Sequence, residues 1–236
     1  MARTFRVDGA TYRYRRAKAE VLNHIDVEMT PGPVLLLGRN GAGKTTLLKL
    51  IAGLIRPTAG KVSADGRVVY LPQKFVAVNG FTCHDYVAYV AWLNGRPRAA
   101  AKRDAAGWLG KVGLADLVDR PCPDLSGGQQ ARLALAMALN SGADLVLLDE
   151  PGASLDPLSK ETLRGLYQLV VDSGSALVVS SHDPTDIHGP FHRIVIIDGG
   201  RVVFDAGPTE FKSSTHADPL VAAFARSMHP GAGEVR

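Results

Sequence analysis

The chain has 236 residues, of which 46% are hydrophobic and 21% are charged, so it can bury the core of one compact domain and is not a disordered polymer. Its formal net charge of +4 is too small to argue for nucleic acid, and we predict no nucleic-acid partner. No apolar run approaches the roughly 18 residues that cross a bilayer, and the first residues lack the apolar stretch of a secretory signal.

Basic side chains crowd the start of the sequence, at Arg3, Arg6, Arg13, Arg15, Arg16 and Lys18. The simpler interpretation is a strand at the edge of a sheet, where charges prevent pairing with other chains. The alternative is a surface that attracts polyphosphate or lipid headgroups. The sequence leaves both open.

Two kinds of apolar pattern predict strands. Apolar residues alternate with polar ones near the start, at Phe5, Val7, Tyr12, Tyr14, Ile25, Val27 and Met29. Later runs are apolar at every position, namely residues 34–37, 145–148, 176–179 and 194–197. Such runs are typical of a parallel sheet that helices cover on both faces. Helix-like sequence separates them, which predicts an α/β fold with a parallel-sheet core.

The segment between Gln73 and Asn140 has a helical texture. Thr82 and Asp85 have the spacing of a capping box before a helix through residues 86–93, and residues 99–109 and 129–139 predict two more helices. We therefore predict a single domain over residues 1–236. It comprises a core with an N-terminal antiparallel β subdomain (about 1–73 and 141–212), an inserted helical subdomain (about 74–140) and a C-terminal tail (about 213–236).

The run at residues 34–37 leads into a segment that fits the pattern G-x-x-x-x-G-K-[ST] without a mismatch, followed by a predicted helix at residues 46–52. The segment consists of Gly38, Arg39, Asn40, Gly41, Ala42, Gly43, Lys44 and Thr45, with Thr46 next. Glycines let the backbone curl so that successive N–H groups and the helix N-terminus face phosphate oxygens. Lys44 would reach the β- and γ-phosphates of a nucleotide, and the Thr45 hydroxyl would bind Mg²⁺. A glycine-rich turn could match by chance, but the strand and helix on either side disfavour that.

A second motif ends the apolar run at residues 145–148 with two acids, Asp149 and Glu150. Carboxylates at the edge of a core need partners. Asp149 can hold Mg²⁺ opposite Thr45, and Glu150 can orient or deprotonate an attacking water. Taken alone, the pair could be two exposed acids that begin a loop.

A third motif is Ser126, Gly127, Gly128 and Gln129, directly before a helix with an apolar face. A serine and two glycines at a helix N-terminus form a second place where an anion can bind. The same residues also occur in ordinary turns, so this motif gains weight only beside the other two.

The order GRNGAGKTT, LSGGQQAR and LVLLDEP resembles the nucleotide-binding subunit of an ABC transporter, over about residues 11–210. The resemblance implies a P-loop NTPase (RecA-like) core, ATP and Mg²⁺ as cofactors, and ATP hydrolysis. It implies that Glu150, His182 and Lys44 are catalytic. Gln73 matches the glutamine that contacts Mg²⁺ and the γ-phosphate, and Tyr14 is our choice for the aromatic ring that stacks on adenine, with Tyr12 second.

The same resemblance implies a dimer in which Ser126, Gly127, Gly128, Gln129 and Asp156 of one subunit complete the ATP site of the other. The dimer could be a homodimer or a heterodimer with a second ATP-binding subunit. It implies a transmembrane permease on a separate chain and a cytoplasmic location, peripheral on the inner face of the membrane. The permease would contact a groove near Gln73 to which we assign Phe75, Val76, Val78, Phe81, Tyr86 and Tyr89; the alternative is that these aromatic residues are core.

Other functions fit less well. DNA-repair and chromosome ATPases of this type separate the two phosphate motifs with a long coiled coil, whereas here only a small helical region fits between them. The translation-linked kind usually carries two ATPase units in one chain. A small P-loop kinase or nucleotide-binding regulator would lack LSGGQ. The stretch GFTCHDYVAYVAWLNG resembles bacterial drug- or peptide-exporter subunits, which favours export.

Overall fold

A computed structural model describes residues 4–29, 32–74 and 77–217, and the descriptions below concern those residues. Strands form two sheets. An antiparallel sheet has the order β2-β1-β4, with β1 (Phe5–Tyr12), β2 (Leu22–Met29) and β4 (Ala59–Ala64). A larger sheet has the order β5-β6-β7-β3-β8-β9, with β3 (Pro33–Leu37), β5 (Val68–Leu71), β6 (Leu145–Asp149), β7 (Ala176–Ser181), β8 (Arg193–Asp198) and β9 (Arg201–Ala206). Its strands are parallel except β9, which pairs antiparallel with β8.

The four wholly apolar runs became β3, β6, β7 and β8, all inside the larger sheet, as predicted. Both faces of β3 are buried: Leu35 and Leu37 belong to one hydrophobic cluster, and Val34 and Leu36 belong to another on the opposite face. Successive strand residues point to opposite faces, so a strand in the middle of two cores must be apolar at every position.

The interpretation of the basic residues as a strand edge was wrong. β1 is the middle strand of its sheet, because β4, which the sequence pattern did not predict, pairs with its second side. Arg6 lies on β1, whereas Arg13, Arg15, Arg16 and Lys18 are exposed in the connection from β1 to β2. Arg3 is outside the described residues. Tyr14 also lies in this connection, beyond the end of β1.

Helices are α1 (Lys44–Ile51), α2 (Cys83–Leu93), α3 (Arg98–Lys111), α4 (Gly127–Ser141), α5 (Pro157–Asp172) and α6 (Pro208–Ala217). The predicted helices match α1 to α4 within a few residues at each end. Thr82 caps α2 by accepting a hydrogen bond from the Asp85 N–H at 3.1 Å, as its spacing predicted. α2, α3 and α4 follow one another between β5 and β6. Among the described helices, none has the length and apolar run needed to cross a membrane.

Candidate functional site

The loop between β3 and α1 depends on three glycines. Gly41 and Gly43 have φ values of 83° and 109°, in the region that favours glycine. A Cβ on Gly43 would lie 2.6 Å from Leu22 Cδ2, and one on Gly38 would lie 2.7 Å from the Ile197 carbonyl oxygen. The chain must therefore pass close to its neighbours here, and Gly43 stands at the N-terminus of α1 with no side-chain cap on the first amides.

Lys44 is buried, with 4% of its side chain exposed, and its ammonium group is fully engaged. Nζ donates to the Gly38 carbonyl at 2.7 Å and to the Arg39 carbonyl at 3.2 Å, and it forms an ion pair with Glu150 Oε1 at 3.0 Å. Loop carbonyls thus aim the ammonium group at the end of β6. A buried charge needs such partners, because burial without them is costly.

Asp149, at the end of β6, is buried and accepts three hydroxyl hydrogen bonds. Thr45 Oγ1 and Ser180 Oγ donate to Oδ1 at 3.1 and 2.8 Å, and the Tyr70 hydroxyl donates to Oδ2 at 2.8 Å. Burial, together with the bond to Asp149, raises the pKa of Tyr70 above its ordinary value, so this hydroxyl remains a donor. Asp149 and Thr45 therefore place two hard oxygen atoms side by side, the donor type that Mg²⁺ prefers.

Glu150 lies at the centre of the site. Its carboxylate bridges Lys44 and His182, whose Nδ1 is 2.9 Å from Oε2, and Gln73 Nε2 donates to the same oxygen at 3.5 Å. The backbone of Glu150 has φ 48°, which costs of order 1–3 kcal/mol for a residue other than glycine. The Ser180 hydroxyl accepts from the Glu150 N–H at 2.9 Å and so helps to hold this conformation.

The ends of β3, β6 and β7 therefore bring together Lys44, Thr45, Asp149, Glu150 and His182, with Gln73 at the margin. This is the edge at which parallel α/β sheets bind ligands. Gln73 contacts Glu150 and not Asp149, although we assigned it a metal-binding role. Arg39, Asn40, Ala42 and Thr46 occupy the loop and the first turn of α1 as the motif predicted.

Tyr14 lies beside this loop. Its hydroxyl is hydrogen-bonded to Thr46 Oγ1 at 3.1 Å, and its ring meets Tyr12 edge-on with 4.9 Å between centroids. Tyr14 is 40% exposed, whereas Tyr12 packs against the hydrophobic cluster below. Tyr14 is therefore the one of the two whose ring is more available to a ligand.

The third motif and Asp156 lie at two different capped helix N-termini. Ser126 caps α4: its Oγ accepts from the Gln129 N–H at 3.4 Å, and its own N–H donates to Gln129 Oε1 at 2.9 Å. Asp156 caps α5 through Ser159, whose hydrogen bonds hold the pKa of Asp156 below its usual range. Within the described ranges, no hydrogen bond or ion pair joins Ser126, Gly127, Gly128, Gln129 or Asp156 to the loop of residues 38–45.

Some of the residues assigned to the groove near Gln73 are exposed, and others pack on the core. The Phe81 ring packs against Tyr86 and Tyr89 at centroid distances of 5.5 and 5.1 Å, and Tyr86 packs on the core. Val78 and Tyr89 are 37% and 39% exposed. Phe75 and Val76 lie outside the described residues.

Sequence reasoning missed Tyr70 and Ser180. Ser180 lies opposite Asp149 in the parallel pairing of β6 and β7. Two serines that close an otherwise apolar strand were the signal for Ser180, because polar residues at the end of a central strand need a partner. Tyr70 is the third of the four residues of β5, next to β6, and no comparable pattern in the sequence marked it.

The sequence is similar to a known family model and to several known proteins. The sequence model of the ABC transporter family matches residues 22–153. A methionine import ATP-binding protein of Cereibacter sphaeroides is 34% identical over 82% of this chain and 60% of its own. A sulfate/thiosulfate import ATP-binding protein of Mycobacterium bovis is 35% identical over 86% of this chain and 61% of its own. A phosphonates import ATP-binding protein of Pseudomonas aeruginosa is 33% identical over 94% of this chain and 90% of its own. The chain thus spans about three fifths of the length of the first two relatives.

Two solved structures share the fold. An ATP-binding cassette of an ABC transporter in its ADP conformation has a TM-score of 0.82 at 18% identity, over 96% of this chain and 99% of that one. A bacterial ABC transporter cassette solved as a dimer has a TM-score of 0.77 at 23% identity, over 86% and 98%. At these identities the likeness concerns the fold alone, and it confirms the predicted α/β fold of the P-loop NTPase type.

Proposed function

The chain belongs to the ABC transporter family, a family of ATPases, and we propose that it binds ATP with Mg²⁺ at residues 38–45, hydrolyses it and thereby drives a membrane transporter. One observation carries this proposal: Lys44, Asp149, Glu150 and His182 converge where the strands end. A nucleotide-binding module without hydrolysis would not need the pair of Glu150 and His182 opposite the lysine.

The phosphates of ATP would lie along the loop amides and the N-terminus of α1, with Lys44 at the β- and γ-phosphates. Thr45 and Asp149 would hold Mg²⁺, with Gln73 nearby, and the ion would neutralise phosphate charge. Glu150 is bonded to Lys44 and His182, the two groups that a γ-phosphate would contact, so it must turn away from Lys44 when ATP binds. Freed in this way, its carboxylate can orient and deprotonate the attacking water, while His182 contacts the γ-phosphate.

Adenine would stack on Tyr14, whose ring is fixed by Tyr12 and Thr46. Arg39, Asn40, Gly41, Ala42, Gly43 and Thr46 complete the loop around the phosphates. The hydroxyls of Tyr70 and Ser180 would keep Asp149 aimed at the metal before ATP arrives.

We further propose that two subunits face head to tail, with Ser126, Gly127, Gly128, Gln129 and Asp156 of one subunit closing on the ATP of the other. The exposed N-terminus of α4 supports this, since its first amides form a second anion-binding end. Either a second copy or a different ATP-binding subunit could fill the partner position. Closure would be passed to a separate permease in the membrane, with this chain on the cytoplasmic side and the surface around Val78 and Tyr89 as the contact.

The direction of transport is a separate question. Three relatives are named as import ATP-binding proteins, so the comparisons give no support to the preference for export. We propose transport coupled to ATP, with the direction and the cargo set by the permease. A role outside transport is the less favoured alternative, because each of these relatives carries a transport name.

The test is release of inorganic phosphate from ATP by the purified chain, with Mg²⁺ and with the metal removed by a chelator. Lys44→Ala should lower Mg²⁺-dependent turnover by about 100-fold or more, because one preorganised donor to a transition state typically contributes that much. Lys49→Ala is the matched control, since Lys49 lies on the same helix but outside the site. Equal turnover in the two variants would reject the proposal, as would a wild-type chain that neither binds ATP nor hydrolyses it.

A further inference from the structure

One face of α5 packs against the segment that carries His182. Lys160, Leu163, Arg164 and Tyr167 have the spacing i, i+3, i+4 and i+7, so they share this face of the helix. Leu163 and Tyr167 are buried in the core, while the two cations extend from its edge. None of these four residues belongs to the proposed catalytic machinery.

Both cations hold an acid that follows His182 in the chain. Arg164 donates to Asp186 Oδ1 from Nη2 at 2.6 Å and from Nε at 3.2 Å. Lys160 Nζ is 3.5 Å from Asp183 Oδ2. The first contact is the stronger, because a guanidinium group with two donors to a carboxylate fixes direction as well as distance.

Asp186 passes this restraint to the residues beside His182. Its second oxygen accepts a hydrogen bond from Ser181 Oγ at 2.5 Å, and the same Oγ accepts from the Asp183 N–H at 2.9 Å. His182 therefore lies between Ser181 and Asp183, which are joined through the Ser181 hydroxyl. Its own side chain is 44% exposed and contacts Glu150 at 2.9 Å, so packing alone does little to orient it.

We propose that Arg164 is a positioning residue for His182: through Asp186 and Ser181 it holds the backbone that aims the imidazole at Glu150 and the γ-phosphate. This rests on the proposed function of His182. Without Arg164, the partly buried Asp186 carboxylate would turn towards water and release Ser181. His182 would then lose its direction while the loop of residues 38–45 stayed intact, so turnover would suffer and ATP binding would not.

The chain offers a matched control. Arg193 and Asp205 form a two-donor ion pair between β8 and β9, at 2.5 and 2.6 Å, with side chains 22% and 27% exposed. The pair of Arg164 and Asp186 is similarly buried, at 23% each. Arg164→Gln and Arg193→Gln each remove a two-donor ion pair together with one further contact of the arginine, but only the first is linked to His182.

The experiment measures steady-state hydrolysis and the ¹H–¹³C signal of the His182 ring without nucleotide, assigned with His182→Gln. Arg164→Gln should lower kcat by about 10- to 100-fold with KM within about two-fold of wild type, since a small misplacement of a reacting group costs that much. The His182 signal should move. Arg193→Gln should leave both kcat and the signal at their wild-type values.

Arg164→Lys should recover part of the turnover, because lysine keeps the charge without the two-donor geometry. The double variant Arg164→Gln/Asp186→Asn should lose no more than Arg164→Gln alone, because both changes break one connection. If Arg164→Gln does not fold, Asp186→Asn and Ser181→Ala take its place with the same expected results.

Equal losses of kcat in Arg164→Gln and Arg193→Gln would overturn the proposal, as would an unmoved His182 signal. The signal is recorded without ATP, so it decides the positioning role even for a protein that does not turn over. Absence of hydrolysis in the wild-type chain counts instead against the proposed function.

Discussion

Two helix N-termini in this molecule carry phosphate-binding motifs, and they differ in how complete they are. At α1, Lys44 is buried and bonded to two loop carbonyls and to Glu150, and Thr45 is bonded to Asp149. At α4, Ser126 and Gly127 are exposed, and the capping bonds of Ser126 go to Gln129 in its own first turn. The site at α1 has its reacting groups assembled, whereas the N-terminus of α4 approaches them only across a cavity that Gly127 and Glu150 both line.

The two N-termini therefore have different roles in the proposed ATP site. A subunit that held every group needed for rapid hydrolysis would turn over ATP continuously. Here the groups that act on the γ-phosphate are built into the sheet edge, and among the described residues no hydrogen bond joins the second anion-binding end to them. A two-part arrangement makes hydrolysis depend on assembly, and three predictions examine its parts.

The largest effect is expected for Glu150→Gln, which removes the candidate base from the site at α1. Turnover should fall by about 1,000-fold, within the range that a positioned base contributes. ATP binding should persist and tighten, because Lys44 and His182 lose the internal carboxylate that competes with the γ-phosphate. Phosphate release, ATP titration and the rise in melting temperature on adding ATP measure these effects.

Glu28→Gln serves as the control, because this exposed acid on β2 lies outside the site. Turnover in Glu150→Gln at the level of this control would remove Glu150 from the role of base. Weaker ATP binding in Glu150→Gln would contradict the idea that its carboxylate stands in for a phosphate.

A second prediction concerns the other N-terminus. Ser126→Arg should leave ATP binding by the monomer unchanged, since Ser126 makes no hydrogen bond to the loop of residues 38–45 in the described structure. It should block the ATP-bound dimer in a Glu150→Gln background and lower hydrolysis about 100-fold in the wild-type background, the scale of one lost transition-state donor set. Sedimentation with ATP measures the dimer.

Ser126→Ala separates capping from assembly. It removes the hydroxyl that accepts from Gln129 and should cost about 1 kcal/mol of stability, as for other N-caps, while the dimer still forms. If Ser126→Arg formed an ATP-bound dimer as strong as that of Ser126→Ala, the proposal of a two-part site would be rejected.

Sequence patterns predicted the regions where one physical demand dominates. β3, β6, β7 and β8 were recognisable because burial on both faces leaves no place for a polar residue. The loop of residues 38–45 was recognisable because backbone crowding at Gly38 and Gly43 excludes a side chain. β4 was missed because its residues are mostly exposed and lack an apolar alternation, and without it β1 was taken for an edge.

The contacts around the acids depend on strand register, which local sequence does not encode. Ser180 reaches Asp149 because β6 and β7 pair with these two residues opposite each other. Arg164 reaches Asp186 across the packing of α5 on the sheet, and neither residue belongs to a motif. Motifs therefore located the reacting groups, and only the fold shows what holds them.

The smallest effect is expected for Tyr70→Phe, which takes one of three hydroxyl donors from Asp149. We expect a loss of about 1 kcal/mol in the free energy of unfolding, the net value of a typical hydrogen bond. Burial and the bond to Asp149 raise the pKa of Tyr70, so its contribution is full below the ordinary tyrosine pKa of about 10 and declines as the pH rises above it. The difference in the free energy of unfolding between wild type and Tyr70→Phe, measured with urea, should therefore narrow above that pH.

Ser180→Ala should cost more stability than Tyr70→Phe at neutral pH, because the Ser180 hydroxyl donates to the Asp149 carboxylate and also accepts from the N–H of the strained Glu150. A gap that stays constant through the alkaline range, or the reverse order of the two variants, would show that the hydroxyls around Asp149 do not hold the site at α1 in place.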